Sequence, residues 1–143
     1  IRTQISIAEL FTDLKKLFPE EEFQFEVPSP ELKLNVDRTQ IEQILINLLK
    51  NAREACSRKS DKKIQVKARK LSAGNTTLTI SDNGEGILPD VLDKIFVPFF
   101  TTKTSGSGIG LSLCKQIMTL HEGSINVKSE VGKGSSFILT FPK

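Results

Sequence analysis

Soft metal ligands are almost missing from this 143-residue sequence: there are two cysteines, Cys56 and Cys114, and one histidine, His121. The cysteines stand far apart and form no C-x-x-C pattern, which excludes a zinc framework and leaves no basis for a disulfide scaffold. Both read as small, half-buried helix residues of a reducing compartment. No apolar run approaches the ~20 residues of a membrane span, and there is no signal-peptide pattern. Charge of one sign is also lacking. A formal net charge of +3 is too small and too scattered to argue for nucleic acid or membrane as an electrostatic partner. The one basic stretch, Lys62, Lys63, Lys67, Arg69 and Lys70, reads as the solvated face of a strand. What is present is ordinary: 38% hydrophobic and 26% charged residues, the composition of a soluble globular chain long enough for one domain with its own core. The sequence starts at Ile1 without Met and reads as a piece of a longer protein.

The periodicities predict an α/β sandwich. Ser6-Ile7-Ala8-Glu9 is a capping-box pattern, and Ile7, Leu10, Phe11, Leu14 and Phe18 follow at helical spacing until Pro19. Phe23, Phe25 and Val27 alternate, Pro28-Ser29-Pro30 turns, and Leu32, Leu34 and Val36 alternate again, which predicts a hairpin. Asp37, with Gln40 at the reciprocal position, caps a long helix whose core stripe is Ile41, Ile44, Leu45, Leu48, Leu49, Ala52 and Ala55. Strands are expected around Ile64–Ala68 and Leu78–Ile80, a short helical segment from Pro89 to Phe96, and a helix from Gly108 to Leu120. Two final strands run from Ser124 to Glu130 and from Ser135 to Phe141. Helices packed on one mixed or antiparallel sheet make two layers.

Three glycine clusters stand out: "DNGEG", "GSGIG" and "GKGSS". None completes a familiar phosphate motif. A P-loop needs glycine where Val127 stands, and a dinucleotide fingerprint needs it where Leu111 stands. No H-R-D sequence supports a protein-kinase reading of the Ser/Thr type. Glycines just before a helix still let backbone amides approach a ligand, and a helix N-terminus favours anions. "GSGIG" is therefore either a loop-to-helix joint or a polyphosphate cradle. Asp82, at the end of an apolar strand, is either a turn former or a buried acceptor that needs a donor such as the amine of adenine. Asn51 falls at the edge of the long helix's apolar stripe, and Asn47 about 40° further round at ~100° per residue. Asparagine is a poor helix former. These two either hydrogen-bond a neighbouring loop or supply amide oxygen to Mg²⁺, which completes its shell with substrate phosphates.

Taken in order, Asn47-x-x-x-Asn51, Asp82-x-Gly84-x-Gly86, Phe96-x-x-Pro98-Phe99-Phe100, Gly106-x-Gly108-x-Gly110 and Gly132-x-Gly134 resemble the catalytic, ATP-binding domain of sensor histidine kinases. These belong to the superfamily that includes gyrase, the Hsp90 chaperones and MutL. The resemblance covers the whole of residues 1–143 as one catalytic domain, most clearly Asp37 to Pro142. It implies the Bergerat fold: a two-layer α/β sandwich, a mixed, mostly antiparallel sheet on about three helices. It implies ATP and Mg²⁺ as cofactors. "NLLKNA" resembles the N box, so Asn51 would hold the metal and Asn47 would sit beside the phosphates. "DNGEG" resembles the G1 box, with Asp82 accepting from the adenine amine, Gly84 and Gly86 allowing close approach, and Ile87 beside the base. "IFVPFF" resembles the F box. "TTKTSGSGIGL" resembles the lid and G2 box, with Lys103 a phosphate contact and Gly106, Gly108, Ile109, Gly110 and Leu111 around the nucleotide. Ser135 matches a position near adenine.

Two departures refine the expectation. Glu54 stands where many histidine kinases carry Lys or Arg, a substitution common in the nitrogen-sensing and sporulation subgroup. His121, in "LHEGSI", matches the start of a strand and not the phosphoacceptor motif, so it is expected to be structural. The resemblance then implies transfer of the ATP γ-phosphoryl group to a histidine on an upstream dimerisation domain absent from this chain. A response regulator would be an indirect partner, the fragment a monomer and the parent a homodimer. The expected location is cytoplasmic, within a parent that can be membrane-anchored. Hydrolytic relatives carry glutamate where Asn47 stands, and an amide cannot act as that general base. A degenerate, non-catalytic nucleotide-binding module is the other alternative, against which intact Asn51 and Asp82 argue.

Overall fold

The computed structural model describes residues 1–98 and 110–143. In chain order the elements are β1 (Thr3–Ser6), α1 (Ile7–Leu17), β2 (Phe23–Glu26), β3 (Lys33–Val36), α2 (Arg38–Ala55), β4 (Ile64–Lys70), β5 (Thr76–Asp82), α3 (Pro89–Leu92), α4 (Gly110–Leu120), β6 (Ser124–Glu130) and β7 (Gly134–Phe141). Ser6 and Asp37 are the N-caps the sequence predicts, but the reciprocal half of the box is not made at Asp37, whose N–H goes to His121 instead of Gln40. The Ser6 hydroxyl accepts the Glu9 N–H at 3.2 Å, and the Asp37 carboxylate accepts the Gln40 N–H at 3.1 Å. Each satisfies one of the orphan donors at a helix start, worth ~1 kcal/mol. Phe18 N–H closes on Leu14 O at 3.0 Å, and Pro19 prevents another turn of α1.

A five-stranded sheet has the order β2-β4-β5-β7-β6, and β1 and β3 form a separate two-stranded sheet. The β2–β4 pair is parallel and every other pair is antiparallel. The sheet is thus mixed and mostly antiparallel. The expected hairpin between Phe23–Val27 and Leu32–Val36 does not form. β1 claims β3 instead, with Ile5 opposite Leu34, and β2 lies along β4, with Phe23 opposite Ile64. Parallel strands need a long crossover, and here β3 and α2 provide it. The segment expected as one helix from Pro89 to Phe96 is helical only through Leu92 and continues in turns.

One sheet face is covered by helices. Ile64, Val66 and Ala68 of β4, Leu78 and Ile80 of β5, and Phe137, Leu139 and Phe141 of β7 are buried there. They join Leu10 and Leu14 of α1, Ile41, Ile44, Leu45, Leu48 and Leu49 of α2, and Ile117 and Met118 of α4. Each such side chain contributes ~1.5–3 kcal/mol by leaving water. The opposite face carries exposed Gln65, Lys67, Arg69 and Lys128 with half-exposed Thr77, Thr79 and Ser81, and the basic stretch is indeed mostly solvated. His121 ties two helices together. It is buried, its Nδ1 lies 2.9 Å from the Ile117 carbonyl, and its Nε2 accepts the Asp37 N–H at 3.0 Å. A carbonyl can only accept and an amide can only donate, so the ring is neutral with its proton on Nδ1. Cys56 and Cys114, expected to be half-buried, are fully buried, because the last turn of α2 and the middle of α4 both face the sheet.

Candidate functional site

Strand register sets up the first part of the site. Asp82, the last residue of β5, lies opposite Ile64 of β4 on one side and Ser135 of β7 on the other. Ser135 in turn faces Ser129 of β6. These positions share the helix-covered face with Ile80, Phe137 and Val127 by strand alternation. The apolar layer therefore ends in a polar row: Asp82, Ser135, Ser129. Asp82 is both things the sequence allowed. Its Oδ1 accepts the Gly84 N–H at 2.8 Å, a local turn bond, and it is also substantially withdrawn from water. Burial pushes its carboxyl above the usual value, against the lowering effect of the Gly84 and Ser135 backbone N–H groups.

The loop after Asp82 is seated on two other parts of the chain, and this is why it needs glycine. A Cβ at Gly84 would lie 2.5 Å from the carbonyl oxygen of Ala55, at the end of α2. The next residue, Glu85, donates its N–H to that same oxygen at 3.2 Å. Gly86 has φ +78°, and a Cβ there would lie 2.4 Å from the Glu130 carbonyl oxygen. The β6–β7 turn returns the contact: Gly132 N–H donates to Glu85 O at 2.9 Å. Ile87 N–H donates to Ser129 Oγ at 2.7 Å. Asn83 locks the loop to the chain before β4. Its amide accepts from Lys63 N–H at 2.9 Å and donates to Asp61 O at 2.7 Å. Close approach at these glycines is thus first of all an approach of protein backbone to protein backbone.

Along α2, from its C-terminal end, come Ala55 under the glycine loop, then Asn51 one turn back, then Asn47 another turn back. Eight residues at ~1.5 Å each make this line about 12 Å long. Both asparagines are partly exposed, at the border of the buried stripe. At the far end the line meets α4: a Cβ on Gly110 would fall 2.6 Å from the Asn47 amide oxygen. Asn47 therefore lies against Gly110, the first described residue of α4. A groove lined by Thr39, Glu42, Gln43, Ile46, Asn47 and Lys50 runs along this flank of α2. A broader polar depression, lined by Glu21, Lys59, Asp61 and Gln65 among others, contains none of the expected nucleotide-binding residues. Leu111 is half-buried against the core.

The structure brings together Asp82, Gly84, Gly86, Ile87 and Ser135 at one end of the line, and Asn47 and Gly110 at the other. Lys103, Gly106, Gly108 and Ile109, together with Phe99 and Phe100, lie outside the described residues. Ser129 and Asn83 were not singled out from the sequence, yet both hold the glycine loop. A signal for Ser129 was available: in Ile125, Val127, Ser129 it occupies the inward phase of an alternating strand, where a hydroxyl needs a partner. Cys56, beneath the loop, donates to Asn83 Oδ1 at 3.6 Å. Burial pushes its thiol up, and the Asp82 carboxylate adds to the effect.

The family model for histidine kinase-, DNA gyrase B- and HSP90-like ATPases matches residues 36–143. The signal transduction histidine-protein kinase AtoS of Escherichia coli (strain K12) is 42% identical over 109 residues, 76% of this chain and 18% of AtoS. Sporulation kinase D of Bacillus subtilis (strain 168) is 36% identical over 123 residues, 86% of this chain and 24% of that kinase. The chain thus spans less than a quarter of the length of these curated relatives. Among solved structures, the nucleotide-free catalytic domain of histidine kinase ThkA superposes with a TM-score of 0.87 at 35% identity, covering 100% of this chain and 96% of that one. A longer ThkA chain, in complex with the response regulator TrrA, gives 0.79 at 31% identity, with 99% and 42% covered.

Proposed function

We propose that this chain, which belongs to the histidine kinase-, DNA gyrase B- and HSP90-like ATPase family, binds Mg-ATP and transfers the γ-phosphoryl group to a histidine on a separate phosphoacceptor domain. Residues 1–143 would act as one catalytic domain, and a response regulator would receive the phosphoryl group afterwards. The observation that carries the reading is the line along α2. Asp82 with Ser135 stands at its loop end, Asn51 is at its middle, and Asn47 lies against the start of α4. A nucleoside triphosphate laid along it would put its base at a partly buried carboxylate and its phosphates at a helix N-terminus, where anions are favoured.

The donor set suits Mg²⁺ in company with phosphate. Among the described residues no group of three or more His, Cys, Asp or Glu side chains could hold a metal by itself. A neutral amide such as Asn51 is the kind of protein ligand that Mg²⁺ takes when a triphosphate supplies the charge. Bound there, the ion would neutralise charge building up on the phosphate oxygens. Asp82 would accept from the adenine amine, and Asn47 would hold the phosphates against α4. An acceptor imidazole nitrogen would then form the N–P bond as the bond from Pγ to the bridging oxygen breaks and ADP leaves. The acceptor is not His121, whose two ring nitrogens are both engaged in the buried contact between α4 and Asp37. Asn47 also argues for transfer over hydrolysis, since an amide cannot take a proton from water.

Calorimetric titration tests the reading. Mg-ATP binds the parent chain, binding weakens without Mg²⁺, and Asn51→Ala removes the Mg²⁺ dependence. The chain alone releases phosphate from ATP only slowly. Unchanged Mg-ATP affinity in Asn51→Ala would sink the metal assignment, and rapid multiple-turnover hydrolysis would favour an ATPase.

A further inference from the structure

Ser129 lies outside the nucleotide-contacting residues above, yet its hydroxyl has a full set of partners that fixes the direction of a hydrogen-bond chain. Three groups surround its Oγ: the Ile87 N–H at 2.7 Å, the Gly134 carbonyl at 3.1 Å and the Ser135 Oγ at 2.9 Å. The amide can only donate and the carbonyl can only accept. All three contacts are hydrogen bonds at once only if Ser129 accepts from Ile87 and gives its single proton to Gly134. For the third contact to be a hydrogen bond, Ser135 must be the donor. The chain then runs Ser135 O–H to Ser129 O–H to Gly134 O, and both lone pairs and the proton of Ser129 are used.

The consequence falls on Ser135. Its only hydroxyl proton is turned toward β6, so what remains on the Asp82 side is acceptor capacity alone. Asp82, opposite Ser135 in the register, is an acceptor as well. Two adjacent acceptors favour a ligand edge that donates, such as an exocyclic amine, and oppose one that presents a carbonyl.

We propose that Ser129 is a positioning residue for nucleobase selection: by fixing the Ser135 hydroxyl as an acceptor beside Asp82, it helps the site take a 6-amino purine and refuse a 6-oxo purine. The inference rests on the nucleotide reading of this site and adds a residue to it. Without Ser129, the Ser135 proton is free to turn and donate to a 6-oxo group. The Ile87 N–H simultaneously loses its partner, so some general weakening accompanies the change in selectivity.

The test compares Mg-ATP and Mg-GTP affinities by calorimetry for the parent chain and for Ser129→Ala, Ser129→Thr and Ser135→Ala. Reversing one hydrogen bond in a partly buried site predicts that the ATP-over-GTP preference falls about tenfold in Ser129→Ala. Ser129→Thr, which keeps the hydroxyl, restores the preference. Ser135→Ala leaves Ser129 bonded to Ile87 and Gly134. It lowers the preference in the same direction, and adding Ser129→Ala in that background lowers it no further. If Ser129→Ala does not fold, Ser135→Ala decides alone: an unchanged ATP-over-GTP ratio there overturns the proposal, because Ser129 acts only through the Ser135 hydroxyl. Equal loss of both nucleotides in Ser129→Ala, with the ratio unchanged, overturns the proposal and leaves Ser129 a loop anchor only. A parent chain that binds neither nucleotide removes the nucleotide reading and this inference together.

Discussion

Gly84→Ala is the sharpest perturbation of the site, because its effect is steric and its neighbour is backbone. The new Cβ would stand 2.5 Å from Ala55 O, 2.6 Å from Ala55 C and 2.8 Å from Ala55 Cβ. The first distance is about 0.9 Å short of the 3.4 Å at which ordinary contact begins. A flexible side chain could swing away, but the end of α2 cannot without moving Cys56, which is buried. Overpacking of this kind costs ~1–3 kcal/mol. Displacing the loop also breaks the Glu85 N–H to Ala55 O bond, worth ~1 kcal/mol. The sum, ~2–4 kcal/mol, predicts a Tm lowered by roughly 5–15 °C for a chain of this size. Gly132→Ala is the matched control: φ is +83° and no atom lies within 4 Å of the added Cβ, so only backbone strain of ~1–2 kcal/mol is expected. Scanning calorimetry of both variants decides the matter. If Gly84→Ala unfolds no earlier than Gly132→Ala, the glycine loop is not seated on α2. Mg-ATP binding should fall with the Tm in Gly84→Ala, because the same displacement pulls Asp82 away from the α2 line.

Asp82 and the cysteines extend the test. The folded chain holds the Asp82 proton more tightly than the unfolded chain does, because burial raises its pKa above 3.8. Its contribution therefore favours the fold at low pH and is lost as pH rises from about that value through the raised one. Asp82→Asn should then raise the Tm at neutral pH and leave it unchanged in strong acid, while abolishing ATP-over-GTP discrimination; a Tm gain that does not depend on pH would contradict the burial argument. Burial pushes the Cys114 thiol up to about 12 and raises Cys56 as well. Both thiols should resist an aromatic disulfide reagent at pH 8 in the native chain and react on unfolding. Rapid native labelling of either would mean that α2 or α4 packs more loosely than described.

Most elements were legible because their signals are local. The stripe from Ile41 to Ala52 and the caps at Ser6 and Asp37 depend on residues a turn apart, and the structure has each where periodicity puts it. Pairing was not legible, because partners lie far along the chain. Two alternating runs joined by Pro28-Ser29-Pro30 look like a hairpin, and nothing within them shows that β3 will pair with the four-residue β1 or β2 with β4. β1 has one buried side chain, Ile5, too little alternation to stand out. The polar residues of the site were visible as types, but not the reason for the glycines. That Gly84 answers to Ala55, and Gly86 to Glu130, is tertiary information. Ser129 shows the middle case: its inward phase could be read, whereas its three partners could not.

The seating of the glycine loop also bears on when the site can exist during synthesis. α2, with both asparagines, is complete at residue 55 and β5 at residue 82. Ala55, Lys63 and Asp61 already hold part of the loop, but its contacts to Ser129 and Gly132 come only from the last two strands and their turn. A chain growing from its N-terminus therefore carries Asn51 and Asp82 long before it can hold them in register. A nascent or cleaved chain ending before Ser129 keeps Asn47, Asn51 and Asp82, but lacks the β6–β7 turn and one neighbour strand of β5. Such fragments should be poor nucleotide binders and expose the edge of a central strand. Nucleotide binding would in that sense certify that translation has reached β7.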